Sequence, residues 1–181
     1  MTLAQNAARS SDENAFPANA FTADVANVKG AMRSLAGGIS VITAGVGDDR
    51  TGATVTTATA LSMDPPTMIV NINKSSSSWP VIERHRHFCV NILSTEQQGV
   101  AEKFAGFGGV KGLARYDGAE WITLESGAPV LADALAAIDC EVEEIIERHS
   151  HAIIIGRAVA VLKGEGRSLV YSGGKFGHFA E

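Results

Sequence analysis

The sequence predicts a mainly β fold, a mostly antiparallel barrel carrying a few short helices. Three observations carry that expectation. First, runs rich in Val, Ile and Thr follow one another, among them ISVITAGV, ATVTTATALSM and PTMIVNIN, and such residues favour a pleated, half-buried backbone. Second, six to eight runs of this kind can be counted, and they do not alternate regularly with helices as the strands of a parallel sheet do. Third, turn residues punctuate them: GDDRTG follows the first run and Asp64-Pro65-Pro66 the second, where proline cannot donate to a ladder.

Taken in order, residues 1–20 have scattered apolar residues without a period and read as a mobile tail, ahead of one domain over 21–181. A helix is expected from Ala23 to Leu35, with Val25, Val28, Met32 and Leu35 at helical spacing and Gly37-Gly38 as its C-cap. Strands ISVITAGV, ATVTTATALSM (read as one strand) and PTMIVNIN come next. A helix from Trp79 to His85, the strand FCVNIL and a helix near Thr95 to Phe104 follow. Beyond the glycine-dense loop GFGGVKG lie WITL, a short helix at VLADALA, and the strands AIDCEVEEIIER, HAIIIGRAVAVL and SLVYSGG. A chain of 181 residues can bury one sizeable core and is too short for two comfortable ones.

The net charge is −5, from 15 Lys+Arg against 20 Asp+Glu, and no stretch is basic enough for a nucleic-acid footprint. Cys89 and Cys140 lie inside apolar segments, as buried reduced thiols do, and a structural disulfide is not expected. No apolar run reaches the roughly 18 residues of a membrane span and no leader pattern opens the chain, so a cytoplasmic location is expected.

Several familiar chemistries lack their motifs. GxGxxG fails at GFGGVKG, with Lys111 where the last glycine belongs, and at GVGDDR, with Arg50 there; neither GxxxxGK[ST] nor GxSxG occurs. His85/His87 and His149/His151 lack an obvious third ligand, so no metal is expected. The first pair reads as solvated surface, whereas His151 is either a satisfied barrel histidine or a site residue. In GATVTTATALS, alternation sets Thr54, Thr56 and Ala58 on one face and Val55, Thr57 and Thr59 on the other. Their density fits simple β-propensity, or hydroxyls and exposed backbone amides that bind a polar heterocycle along a strand edge. NINKSSSSWP leaves too little chain between a strand ending at Asn73 and a helix beginning by Trp79 for the serines to be a linker. They read instead as donors gathered at a helix N-terminus, where an anion is favoured, with Ser78 left to capping.

From Met32 to Phe176, roughly 80% of the chain, the sequence resembles the small flavin reductases of two-component flavin-dependent monooxygenases, which have the FMN-binding split-barrel fold. The matching segments are MRSLAGGISVIT, GATVTTATALSMDPP, FCVNIL, FAG, HSHAIIIGRAV and LVYSGGKF, in the family's order and spacing. The resemblance implies that Thr54, Val55, Thr56 and Thr57 hold the isoalloxazine ring, and that Asn71 and Asn73 face the ring or ribityl chain. Ser75, Ser76 and Ser77 match the phosphate loop, Phe104 and Ala105 line the flavin tail, and Lys111 adds a positive charge there. His151 matches the histidine of a Gly-Asp-His motif facing the nicotinamide, and Phe176 an aromatic that closes over the site. Two positions depart from the pattern. His149-Ser150 replaces Gly-Asp, which leaves the NADH or NADPH preference open, and Ala58 replaces a commonly aromatic or polar residue, which loosens the choice between FMN and FAD.

The function implied is hydride transfer from NADH or NADPH to FMN or FAD, with reduced flavin diffusing to a partner monooxygenase and the reductase itself a homodimer. Two alternatives stand beside it. One is a flavin-binding protein without catalysis. The other is a pyridoxamine-phosphate-oxidase-like FMN enzyme, which would need a second cluster of basic residues that the sequence does not display.

Overall fold

In the computed structural model, which describes Pro17 and residues 19–179, the β-branched runs pair into one large antiparallel sheet. The described residues fall into two units, one ending at Leu35 and one beginning at Ala36. The first holds α1 (Val25–Met32), whose N-cap Asp24 accepts a hydrogen bond from the Asn27 N–H at 2.9 Å, and none of whose residues is buried. The helix is shorter than expected, because Gly37-Gly38 is not its cap. Those glycines form β1 (Gly37–Gly38), paired with Tyr171 and Val170, and a Cβ on Gly37 would sit 3.1 Å from Cβ of Thr56. The tail expected over 1–20 lies outside the described residues, apart from Pro17, Asn19 and Ala20.

The second unit continues with β2 (Ser40–Ala44), β3 (Thr51–Val55), β4 (Thr59–Met63), β5 (Pro66–Asn73), α2 (Trp79–His85), β6 (His87–Ile92) and α3 (Gln98–Phe104). Then come a 3-10 turn at Gly112–Tyr116, β7 (Trp121–Thr123), β8 (Pro129–Leu131), β9 (Ala136–Arg148), β10 (His151–Lys163), β11 (Val170–Ser172) and β12 (Lys175–Gly177). Seven strands make the main sheet, in the order β3-β2-β6-β9-β10-β5-β4.

That order closes the barrel. Laid flat, seven strands would hold their outer members about 29 Å apart, six spacings of about 4.8 Å. Yet β3 and β4 are the two outer strands and are joined by Thr56, Thr57 and Ala58 alone, a span from Val55 to Thr59 of at most about 14 Å. The sheet must therefore curl until its edges nearly meet, leaving an open seam between β3 and β4. Ile42, Val70, Phe88, Cys140 and Ile154, each from a different strand, meet in one inner core that α2 covers with Val81 and Ile82. A Cβ on Gly156 would lie 2.5 Å from the Phe88 ring, so only glycine lets β10 pack there.

Outside β2, β6 and β9 a second core forms against α3 and the 110–134 segment, with Val41, Cys89, Phe104, Tyr116 and Val130. Because Phe88 lies opposite Cys140, Cys89 and Cys140 point to opposite faces of the sheet; both are free and buried, which excludes a bridge between them. Burial pushes the Cys140 thiol up to about 12 and the Cys89 thiol well above its ordinary value.

Two sequence expectations are corrected here. ATVTTATALSM is two strands at opposite edges of the sheet, so its threonines do not share one alternation. VLADALA is not a helix: Asn91 Oδ1 accepts the Leu131 N–H at 2.7 Å and Thr43 Oγ1 donates to the Pro129 carbonyl, drawing the segment into β8, paired with β7. Tertiary partners capture backbone groups that a helix would use internally.

Candidate active site

The seam opens into a cleft of about 470 Å³. One wall is Thr54, Val55, Thr56 and Thr57, where β3 leaves the sheet as an edge whose outer backbone groups have no strand partner among the described residues. The opposite wall comes from the β5–β10 pair. There Asn73 lies opposite His151 and Asn71 opposite Ile153, so both amides and the imidazole project on one face into the cleft. Ala105 and Phe107 form the rim, Ser76 sits at one end, and Tyr171 and Phe176 close the other side as an edge-to-face pair with centroids 5.3 Å apart. The His151 Nδ1 is 2.9 Å from the Ser150 hydroxyl. That contact turns Nε2 into the ring's remaining polar atom.

Ten of the fourteen residues expected from sequence thus line one cleft, and four do not. Thr54 lines it mainly through backbone, since its hydroxyl donates to the Ala101 carbonyl at 2.6 Å and pins α3. Phe104 is buried in the outer core against Tyr116 and Trp121, close above Gly52, where a Cβ would meet its ring at 2.7 Å. Ser75 is folded back, its N–H and hydroxyl both donating to Asn73 Oδ1 at 2.9 Å. Ser77 and Lys111 face a second depression, also of about 470 Å³, together with Arg50, Thr51 and Arg115.

The serine loop differs from its sequence reading in a further respect. Ser78 occupies the N-cap position of α2, yet its hydroxyl makes no capping bond and is buried with no partner among the described residues. At seven residues α2 has two turns, too few for a strong macrodipole, so the loop's polarity rests on its hydroxyls and on nearby cations. His87, expected on the surface, is instead buried beneath the 45–47 turn, where Nε2 accepts the Gly45 N–H at 3.1 Å. Its partner in the pair, His85, binds Asp49 at 2.6 Å.

Ile39, Ala53, Ile72, Phe107 and Tyr171 also line the cleft and were not singled out from sequence. Tyr171 had a signal, its place in LVYSGGKF five residues before Phe176. The others are apolar strand or loop residues with nothing to set them apart.

An antiparallel barrel split along one seam, with a polar strand edge, two asparagines, a histidine and a serine loop around the opening, defines a nucleotide-cofactor site of the split-barrel class. The family model described as "Flavin reductase like domain" matches residues 32–180, and the chain belongs to that family. An FMN reductase (NADH), RutF 2, of Methylorubrum extorquens is 35% identical over 165 residues, 91% of each chain. Among solved structures, the NADH:FAD oxidoreductase SgcE6 of Streptomyces globisporus superposes with a TM-score of 0.81 at 25% identity, covering 91% of this chain and 99% of its own. BorF, the flavin reductase component of a bacterial two-component tryptophan halogenase, gives 0.78 at 28% identity, covering 87% and 99%.

Proposed function

We propose that the protein is an NAD(P)H-dependent flavin reductase that transfers a hydride from a reduced nicotinamide to FMN or FAD and supplies reduced flavin to a partner monooxygenase. The observation that carries this reading is the convergence of the Thr54–Thr57 edge, Asn71, Asn73 and His151 on one cleft at the barrel seam, in a chain of the flavin reductase-like family. The cleft also fits a flavin in its chemistry. It offers backbone and amide donors on one side, an aromatic pair on another, and a buried Ser76 hydroxyl that has no partner within the described residues.

When bound, the flavin supplies the hydride-accepting chemistry. The residues of this chain align and stabilise. Backbone N–H groups of the Thr54–Thr57 edge and the amides of Asn71 and Asn73 would be the donors that meet the negative charge growing on a bound flavin as it is reduced. His151, oriented through Ser150, positions the nicotinamide and is not an obligatory acid. Tyr171 and Phe176 give an apolar wall that keeps water from the reacting face.

The active form is a homodimer in this reading. Beside the cleft, the outward face of β5 and β10 carries half-buried Ile69, Ile153 and Ile155, and the edge strand β4 exposes Leu61 and Met63. Contiguous apolar surface of this kind suits a second copy. The two buried, reduced cysteines fit a cytoplasmic setting.

The test is a steady-state assay with NADH or NADPH and excess FMN or FAD, following nicotinamide absorbance. Oxidation with at least one flavin is expected, and none with either would sink the reductase reading. His151→Ala is expected to raise KM for the nicotinamide more than KM for flavin. Light scattering on the purified chain would give a mass of two subunits, and a monomer would remove the dimer.

A further inference from the structure

Among the large apolar side chains that line the cleft, Ile39, Val55, Ile72, Tyr171 and Phe176 are buried or half-buried, and Phe107 alone is exposed, at 55%. It belongs to neither core. Tyr171 and Phe176 face each other and Phe104 packs on Tyr116 and Trp121, whereas Phe107 makes no ring pair among the described residues. A lone apolar residue on an ordinary surface needs no explanation, but this one stands at the mouth of the cleft on a backbone built to turn.

Phe107 sits between Gly106, at φ +85°, and Gly108, at φ +67°, with Gly109 at +72° next in line. These are left-handed conformations that glycine adopts without steric cost. A Cβ on any of the three would meet nothing within 4 Å, so the turn stands in open space at these points. Its own bonds are local: the Gly106 N–H donates to the Lys103 carbonyl at 3.1 Å and the Gly109 N–H to the Gly106 carbonyl at 3.2 Å. Its two feet are held differently. At one, the Ala101 carbonyl accepts both the Ala105 N–H at 2.9 Å and the Thr54 hydroxyl at 2.6 Å. At the other, Arg115 donates from Nε to the Val110 carbonyl at 3.4 Å and from Nη1 to the Gly52 carbonyl at 3.1 Å. Both feet are therefore moored to β3, the strand whose end forms one wall of the cleft, and the glycine-flanked ring between them can swing.

We infer that Phe107 is a movable cover for the cleft. Turning on Gly106 and Gly108, its ring comes down on a flavin seated along the Thr54–Thr57 edge, and Thr54 is a positioning residue that keeps the cover in register with that wall through the Ala101 carbonyl. This rests on the flavin reading above and adds to it a residue that governs how long the ligand stays. Closure exchanges exposed ring surface for ligand contact. With both feet fixed, only the short turn has to be ordered, which keeps the entropic cost of closing small.

Stopped-flow fluorescence of FMN tests this on the purified protein without relying on turnover. The proteins compared are the wild type, Phe107→Ala, Phe107→Tyr, Thr54→Val, Thr54→Ser and the double variant of Phe107→Ala with Thr54→Val. The FMN dissociation rate is expected to rise about fivefold or more in Phe107→Ala while the association rate changes by less than about twofold, since a contact made after docking shows in departure. Phe107→Tyr keeps a ring and should stay within about twofold of the wild type. Acrylamide, a neutral collisional quencher, should reach bound FMN more readily in Phe107→Ala than in the wild type. Thr54→Val should speed dissociation about threefold, Thr54→Ser should restore it, and Phe107→Ala should add little once Thr54→Val is present, as residues acting as one unit do.

Equal dissociation rates and equal quenching in the wild type and Phe107→Ala overturn the cover even if the protein reduces flavins. Effects of Phe107→Ala and Thr54→Val that simply multiply overturn the link through the Ala101 carbonyl. A Phe107→Ala protein whose weaker binding comes with a lower Tm makes the residue part of the scaffold and refutes the cover as well, and so does a wild type that binds no FMN. Slow, Phe107-dependent departure of FMN from a protein that oxidises no nicotinamide would uphold the cover while the reductase reading failed.

Discussion

Two polar regions of this barrel are built on opposite terms. Around Asn91, at the centre of the sheet, buried polar groups partner one another. Its Nδ2 donates to the Val41 carbonyl at 3.1 Å and to Thr43 Oγ1 at 3.0 Å, and its Oδ1 accepts from Leu131. Nearby, the fully buried Asp139 holds the Ser126 N–H at 2.7 Å and its hydroxyl. Around the serine loop the reverse holds. Among the described residues four buried side-chain atoms lack a partner, and Arg50 Nε, Ser76 Oγ and Ser78 Oγ are three of them. Leaving a buried donor or acceptor unmade costs about 1 to 3 kcal/mol. A chain that satisfies such groups so thoroughly at Asn91 and leaves them open at the loop separates polarity that holds the fold from polarity that meets a ligand.

The largest effect that follows is on stability. Asn91→Leu should cost about 3 kcal/mol or more, since the Leu131 N–H and the Thr43 hydroxyl each lose a buried partner. At about 2 to 4 °C per kcal/mol for a chain of this size, thermal unfolding would show a drop of about 6 °C or more. An unchanged Tm would mean that the polar centre carries no more weight than the loop.

The serine loop should respond the other way round. Ser76→Ala with Ser77→Ala is expected to leave Tm unchanged or slightly higher, yet raise KM for FMN about tenfold or more, because hydrogen bonds to a charged group contribute about 1.5 to 3 kcal/mol each. A fall in Tm with KM untouched would place these hydroxyls in the first class.

His87 gives a smaller, pH-dependent effect. Burial, then the neighbouring His85, hold its pKa below the ordinary value of about 6.5, and accepting from Gly45 fixes the neutral ring with its proton on Nδ1. The unfolded chain therefore takes up a proton more readily than the folded one. The stability this residue contributes is complete above about pH 6.5 and declines as the pH falls through the folded pKa. His87→Gln should flatten the dependence of Tm on pH between about 7.5 and 5. A slope identical to wild type would count against it.

The smallest effect sharpens the contrast. Thr67 Oγ1 is the fourth unpartnered atom and lies away from both depressions, on the buried side of β5. Thr67→Val should be neutral or mildly stabilising, by about 1 kcal/mol at most, with flavin and nicotinamide KM values unchanged. A change in either KM would give Thr67 a part in the site.

Much of this was legible from residues alone. The β-rich runs announced the strands, and the segment resemblance named residues that fold into one cleft from five places in the chain. The seam was not legible. Ala53 to Met63 reads as one threonine-rich strand, and only the pairing of β3 with β2 and of β4 with β5 shows that it breaks at Thr56–Ala58. Nor was the basic cluster, because Arg50 and Arg115 are 65 residues apart and meet only through Thr51, Gly52 and Tyr116. VLADALA misled because its alanines and leucines favour a helix locally, while Asn91 and Thr43 lie 40 and 86 residues from the backbone groups they capture. Local pattern exposes what neighbours in sequence decide, and long-range hydrogen bonds stay silent.

The seam between β3 and β4 also bears on how a cargo is handed over. A ligand berthed along the outside of the wall can come and go while Phe88, Ile154 and their neighbours stay packed, because no passage through the interior has to open. Loading and unloading then involve the rim of the barrel alone. For a carrier that must surrender what it has just charged, an outboard mooring leaves departure limited by the grip on the cargo rather than by breathing of the scaffold.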